Sequence, residues 1–335
     1  MHESNGLLKK IEDFEANNMT GYGLYEGNTG LSIAYFILSK LSGKEVFSIK
    51  GQSLIDEMGD NIGNVKSLDF GNGLGGIGWG VEWIVQNNFI TANTNEILEE
   101  IDDAMYKSVI FNNSIDLSIS TGILGAIIYF YRRMTSKNPN ASRYRALCNQ
   151  ECLFLLTDIL CTQLSARMKH TKISGDEFSL ELIKLLNETL NVLVMLAPLN
   201  LITTFGKEFI CTISSFFEHY FSSNAFSRKD RIEQNLRLVY TYGKAGRFLF
   251  DQRFTNSAIS AFDGLFPIVS KNDQFNLSFL EFICLKLGNE FSLPMALKPS
   301  RIKSEPKCGS IFEILCSIGL CYKHVCYDWH EAWGL

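Results

Sequence analysis

A chain of 335 residues that is 46% hydrophobic has ample material for one large core or two smaller ones. Its net charge of −5 and the lack of a Lys/Arg cluster interleaved with aromatics exclude the basic field that nucleic acids need, and leave a cationic or neutral partner as the better fit. The N-terminal stretch lacks a signal peptide's apolar run, and no window reaches the roughly 18 uninterrupted apolar residues of a membrane span, so a cytoplasmic protein is expected. In chain order, Gly27-Asn28-Thr29-Gly30 leads into the apolar run Leu31–Leu41, and Gly71-Asn72-Gly73-Leu74-Gly75-Gly76 leads into Ile77–Ile90. Between this unit and the next, Glu96–Met105 alternates charged and apolar residues at a helical period and reads as a half-solvated helix. Thr121-Gly122-Ile123-Leu124-Gly125 then opens Ala126–Met134.

Recurrence makes these units informative, because self-similarity at long period decides the fold. Each has a polar approach, a pair of glycines, and a helix apolar on most faces. Glycine supplies φ > 0 and close backbone approach at a turn, while a helix apolar all round must be covered by other helices. Further along, Leu185–Leu196 keeps the apolar helix without the glycines, and Tyr240-Thr241-Tyr242-Gly243-Lys244-Ala245-Gly246 restores them. Leu277–Leu285 loses them again, and Gly309–Leu320 keeps only the outermost two. The total is about seven units, with alternating inner and outer helices: an all-α, α/α toroid occupying residues 1–335 as a single domain. Loops are expected at 136–142, 222–229 and 292–307, and strand signals are sparse.

At these residues the sequence resembles the lanthionine synthetase C-like proteins of bacteria, whose repeats read Gly-x-x-Gly before an inner helix. The run Asp69–Gly80 is the best match, and the resemblance is strong over the first 135 residues and near 236–250. It implies a toroid with a site at one mouth, where a zinc ion activates a peptide cysteine thiolate for addition to a dehydroamino acid. It also implies ligands from a Trp-Cys-Tyr-Gly turn and a Cys-His-Gly turn. Here the first turn corresponds to Tyr240-Thr241-Tyr242-Gly243, so Thr241 stands at the cysteine; Ser278 and Phe279 stand at the second pair, and Asn187-Glu188 at an active-site His-Gly. Asp116 and Tyr242 are the retained counterparts of catalytic polar residues. Hydroxyls are poor zinc ligands at neutral pH and a phenyl ring is none, so the expected cofactor is none, with zinc open only through displaced ligands.

Those displaced ligands would come from Cys321, His324, Cys326 and His330, the only dense run of soft ligands. The alternative is a last inner helix with core cysteines and a packed tail, Tyr327–Leu335. Nine cysteines without an export signal are expected to be mostly reduced; Cys148, Cys152, Cys161, Cys211 and Cys284, in mainly helical settings, read as small core residues. Glu26, Asn28, Asp69, Asn72 and Asp116 lie beside the glycine turns, and with Asn187 are candidates for ligand binding; helix N-capping is the competing role. The expected function is a pseudo-cyclase that binds a precursor peptide or a modifying enzyme in ribosomal peptide maturation. The alternatives are an active zinc-dependent thioether cyclase and an α/α-barrel carbohydrate-active protein using Glu82 and Asp69 as an acid pair.

Overall fold

A computed structural model describes residues 2–18, 21–111, 116–139, 142–170, 178–202, 204–269, 282–283, 285–286, 310–321 and 327–335. Among these residues there is no strand, and the chain divides into two compact units. One comprises Met1–Leu156 with Pro306–Trp333, and the other Thr157–Glu305 with Gly334–Leu335.

The first unit contains α1 (His2–Asn18), α2 (Asn28–Ser42), α3 (Glu45–Asn61), α4 (Leu74–Gln86), the short α5 (Thr94–Ile97), α6 (Glu99–Phe111) and α7 (Ile123–Met134). It also holds the first half of α8 (Arg143–His170) and α13 (Ile311–Cys321). Helices buried on every face alternate with helices buried on one. In α2 every residue from Asn28 to Leu38 is buried, and in α4 every residue from Gly75 to Ile84. By contrast α3 buries only Phe47, Gly51 and Met58, and α6 only Ile101, Asp102 and Met105. This is the inner and outer pattern expected from the apolar runs. Helix α2 packs on α3, α4 and α13, and α4 packs on α7.

The second unit holds the rest of α8, then α9 (Leu180–Leu196), α10 (Thr204–Phe221), α11 (Ile232–Phe248) and α12 (Gln252–Val269). Its two buried helices are α9 and α11, which pack together; α9 is buried throughout Thr189–Leu196 and α11 throughout Leu238–Gly246. The stretch Leu180–Leu199 is long and apolar enough to cross a bilayer by composition, yet 67% of that apolar window is buried inside the protein, as in a core helix. Helix α10 faces the unit with Phe209, Ile213, Phe216, Phe217 and Tyr220, spaced for one helical face.

One expected turn is absent. Tyr240–Gly246 lies in the middle of α11, which begins eight residues earlier at Ile232. Gly246 serves a different purpose: a Cβ there would stand less than 3.0 Å from the Thr255 backbone nitrogen and hydroxyl on α12. The glycine permits two helices to approach, which is why the pair resembles a turn signal in sequence.

Candidate functional site

The three N-terminal glycine turns are superimposable in their bonding. Gly27, Gly73 and Gly122 are the N-caps of α2, α4 and α7, all in extended backbone with φ of −139°, −110° and −121°. In each, the first helical residue donates to a carbonyl six residues before the glycine cap: Asn28 N to Gly21 O at 3.0 Å, Leu74 N to Ser67 O at 2.9 Å, Ile123 N to Asp116 O at 3.1 Å. Three residues into the turn, a Cβ on Gly30, Gly76 or Gly125 would lie less than 3.0 Å from the carbonyl oxygen of Leu24, Phe70 or Ile119. Close approach, and not positive φ, is therefore what these glycines supply. The turns are also stitched to one another, because Gly71 N donates to Ser120 O at 2.7 Å and Leu24 N and Tyr25 N both donate to Gly71 O at 2.9 Å.

This geometry places the polar candidates. Glu26 and Asn72 occupy the same position in successive turns, both exposed, and bond across: Glu26 N donates to Asn72 Oδ1 at 3.2 Å and Asn72 Nδ2 to Glu26 Oε2 at 3.3 Å. Asp116 is exposed and accepts from Ser118 N at 2.9 Å, from the Ser118 hydroxyl at 3.0 Å and from the Thr121 hydroxyl. Asp69 is half-buried, its N–H bonded to the Ser67 hydroxyl at 3.1 Å. Asn28 turns away from the others; it is buried and its Nδ2 donates to Leu54 O on α3 at 3.4 Å. Side-chain N-capping does not occur at these three helices, since the caps are glycines with no room for a side chain.

A buried charged network centred on Arg133 has no local signal in the sequence. Arg133, whose side chain is 2% exposed, bonds Glu82 and reaches both oxygens of Asp102 at 2.9 and 2.7 Å. Tyr129 donates to Asp102 Oδ1 at 2.6 Å, and Arg145 approaches Asp102 Oδ2 at 3.3 Å. Burial pushes the Tyr129 phenol well up, and Asp102 adds to it. Glu82 is fully buried and committed to Arg133, so it cannot act with Asp69 as an acid pair on a sugar.

The expected packed tail is present in the first unit as a 3₁₀ turn at Asp328–Trp333. Trp333 stacks on Tyr25 at 5.3 Å, and the Tyr25 hydroxyl donates to Ala332 O at 2.7 Å, tying the tail to the first glycine turn. Asp328 accepts from Trp83 Nε1 at 2.7 Å and from Arg132 at 2.9 Å, and Arg132 also meets Glu331 at 3.3 Å. His330 belongs to this turn, buried, with Nδ1 3.2 Å from Tyr327 O. Cys321 is exposed at the end of α13, while His324 and Cys326 lie outside the described residues. Among the described residues no three His, Cys, Asp or Glu side chains gather in a metal-binding arrangement.

In the second unit, Tyr242 is fully buried and its hydroxyl bonds the Ser214 hydroxyl at 2.6 Å and Glu218 at 3.4 Å, both on α10. Burial pushes this phenol up to about 12, with Glu218 contributing. Asn187 is 1% exposed with Oδ1 lacking a partner, and Thr241 is 0% exposed with its hydroxyl likewise unpartnered. The residue that composition could not flag is Lys244, buried one turn beyond Thr241, with Nζ 3.0 Å from Asn191 Oδ1 and 3.4 Å from Leu335 O. Ser278 and Phe279 lie outside the described residues.

The repeated glycine-turn helices and the alternation of buried and one-sided helices define an α/α toroid fold, the class expected from the sequence. Among solved structures, one of nisin cyclase is similar over 99% of this chain and 97% of its own, with a TM-score of 0.60 at 12% sequence identity. No protein-family model and no curated protein matches the sequence. At that identity the likeness is one of fold.

Proposed function

We propose that this chain is a peptide- or partner-binding protein of lanthipeptide-like maturation, which uses the cyclase scaffold in the cytoplasm without a zinc-activated thiolate. The scaffold side of the reading is supported by the fold it shares with nisin cyclase. The observation that carries the chemical side is position 241. A ligand at a helix entrance needs a turn that directs a soft donor to an open metal position, and here a buried threonine sits inside α11. Lys244, one turn further along α11 and buried, donates to Asn191 Oδ1 and to Leu335 O. Neither Thr241 nor Asn187 has the donor chemistry for zinc, so the described residues at the carried-over positions do not fit the metal.

The exposed carboxylates of Glu26 and Asp116, with half-buried Asp69, are the candidate contacts for a polar or cationic peptide segment. Binding of a fluorescent dehydrated precursor peptide, followed by thiol alkylation and mass spectrometry, tests the reading. Saturable binding with every peptide cysteine still alkylatable is expected, weakened several-fold by the triple change Glu26→Gln, Asp69→Asn, Asp116→Asn. Loss of alkylatable thiols on incubation would replace it with an active cyclase, and absence of any saturable binding to the peptide or to a maturation enzyme would remove the peptide role.

A further inference from the structure

Within the first unit, α6 and the first half of α8 run side by side in the same direction. Arg145 meets Glu99 at 2.6 Å and Asp102 at 3.3 Å, and four residues further along from Asp102 and Arg145, Tyr106 donates to Asn149 Oδ1 at 2.9 Å. Between the two helices lies an open cleft of about 530 Å³, in the size range of binding sites. Tyr106, stacked on Phe130 at 5.6 Å, and buried Cys152 belong to its lining.

The walls of the cleft leave large apolar side chains in water. Ile110 on α6 is 68% exposed, and Tyr144 and Leu155 on α8 are 74% and 46% exposed. Phe111 and Leu147, also exposed, adjoin them on the same two helices. One exposed apolar residue needs no explanation, but a group of them bordering a single cleft marks a surface that is covered in use. The lining side chains Tyr144, Cys148, Glu151 and Leu155 recur at the helical period and so form one stripe along α8.

The charges set the sign of what covers it. Asp103, Glu151 and Arg145 are the charged side chains of the lining, and the arginine is already matched by Glu99 and Asp102. Both acids are exposed, the Asp103 side chain by 57%. A second copy docking through this same face would set those acids against each other, whereas a cationic occupant answers them. A groove between two parallel helices, open along its length, has the shape that accepts a third helix.

We propose that the cleft between α6 and α8 docks an amphipathic helix of a partner protein, with its apolar face on Ile110, Tyr144 and Leu155 and its Lys or Arg residues against Asp103 and Glu151. This surface is independent of the peptide-binding reading above, since none of its residues is among those candidates.

The test is fluorescence anisotropy of the full chain with a labelled helical peptide of leucine and lysine, leucines at i, i+3, i+4 and i+7, against the same pattern with glutamate for lysine. Wild type is expected to bind the lysine peptide about tenfold more tightly than the glutamate peptide. The pair Ile110→Lys and Leu155→Lys, at exposed positions whose folding is checked by thermal melts, is expected to weaken it about tenfold. Asp103→Asn with Glu151→Gln is expected to weaken it several-fold and flatten its salt dependence. The triple change at Glu26, Asp69 and Asp116 leaves it unmoved, which separates this surface from the glycine turns. Bound peptide should also slow iodoacetamide labelling of half-buried Cys148 without protecting exposed Cys211 on α10. Equal binding of the two peptides, no effect of the α6 and α8 changes, or unprotected Cys148 would overturn the proposal. So would sedimentation showing a dimer that Ile110→Lys dissociates, which would make the occupant a second copy of this chain.

Discussion

Replacing Arg133 by methionine tests the buried network most severely. The substitution keeps most of the side chain's length and deletes the charge that bonds Glu82, Asp102, Thr94 and Asn95. Asp102 would retain Tyr129 and Arg145, but Glu82, with 0% exposure, would lose its cation. Removing one partner of a buried ion pair costs about 3–5 kcal/mol, a large share of the 5–15 kcal/mol typical of a folded protein. Urea unfolding followed by far-ultraviolet circular dichroism measures the loss, and the companion Glu82→Leu supplies the second arm. Substituting both residues removes the stranded charge, so the double variant is expected to be more stable than the sum of the two single losses by about 2 kcal/mol or more. A loss below about 1 kcal/mol for Arg133→Met, or strict additivity of the pair, would refute the reasoning.

The glycine turns give a second prediction: Gly76→Ala forces a Cβ against Phe70 O and the Leu24 side chain, and is expected to destabilise by about 3 kcal/mol, whereas Gly59→Ala, at a position open to space on α3, is stabilising or neutral; thermal melts of the two compare them directly. Thiol chemistry gives a third. Burial pushes Cys152 up to about 11 and Cys161 up to about 12, so iodoacetamide at pH 8 with peptide mapping is expected to label exposed Cys211 while these two react only after unfolding. Equal labelling of Cys161 in the native state would show that its helix is open. The fourth concerns alkaline pH. Burial first, then Glu331, raises Tyr131 to about 12, and Tyr242 is raised to about 12 as well. The folded state keeps these phenolic protons while the unfolded state releases them near 10, so their stabilising contribution is complete below pH 10 and lost as pH rises toward 12. Absorbance at 295 nm should show their ionisation arriving together with unfolding; free titration of all tyrosines near pH 10 in the folded protein would contradict it.

The first three repeats were readable from sequence because glycine at their caps and three residues into the turn answers a backbone requirement that no other residue meets. The same signal misled at Tyr240–Gly246, where the glycine answers the approach of α12 instead. A Gly-x-x-Gly pattern records crowding without recording what crowds it. Among the candidates, Glu26 and Asn72 hold equivalent places in two turns and bond each other, whereas the Asn28 amide is drawn to the Leu54 carbonyl on the next helix. The charged network and the tail contacts were not legible. Arg133 finds Glu82 across 51 residues and Tyr25 finds Ala332 across 307, and pairings at such separation have no local period. The burial of Lys244 likewise has no local signal, because nothing in its own helix records what covers it.

Zinc content is the most direct measurement of the central claim. Protein purified without chelators, dialysed against zinc-containing buffer and then desalted, can be assayed for metal per chain by plasma emission. Far less than one zinc per chain is the expected result, unchanged by Cys321→Ser and His330→Gln. One tightly held zinc per chain that either substitution removes would contradict it, and would place an active metal site in the C-terminal segment.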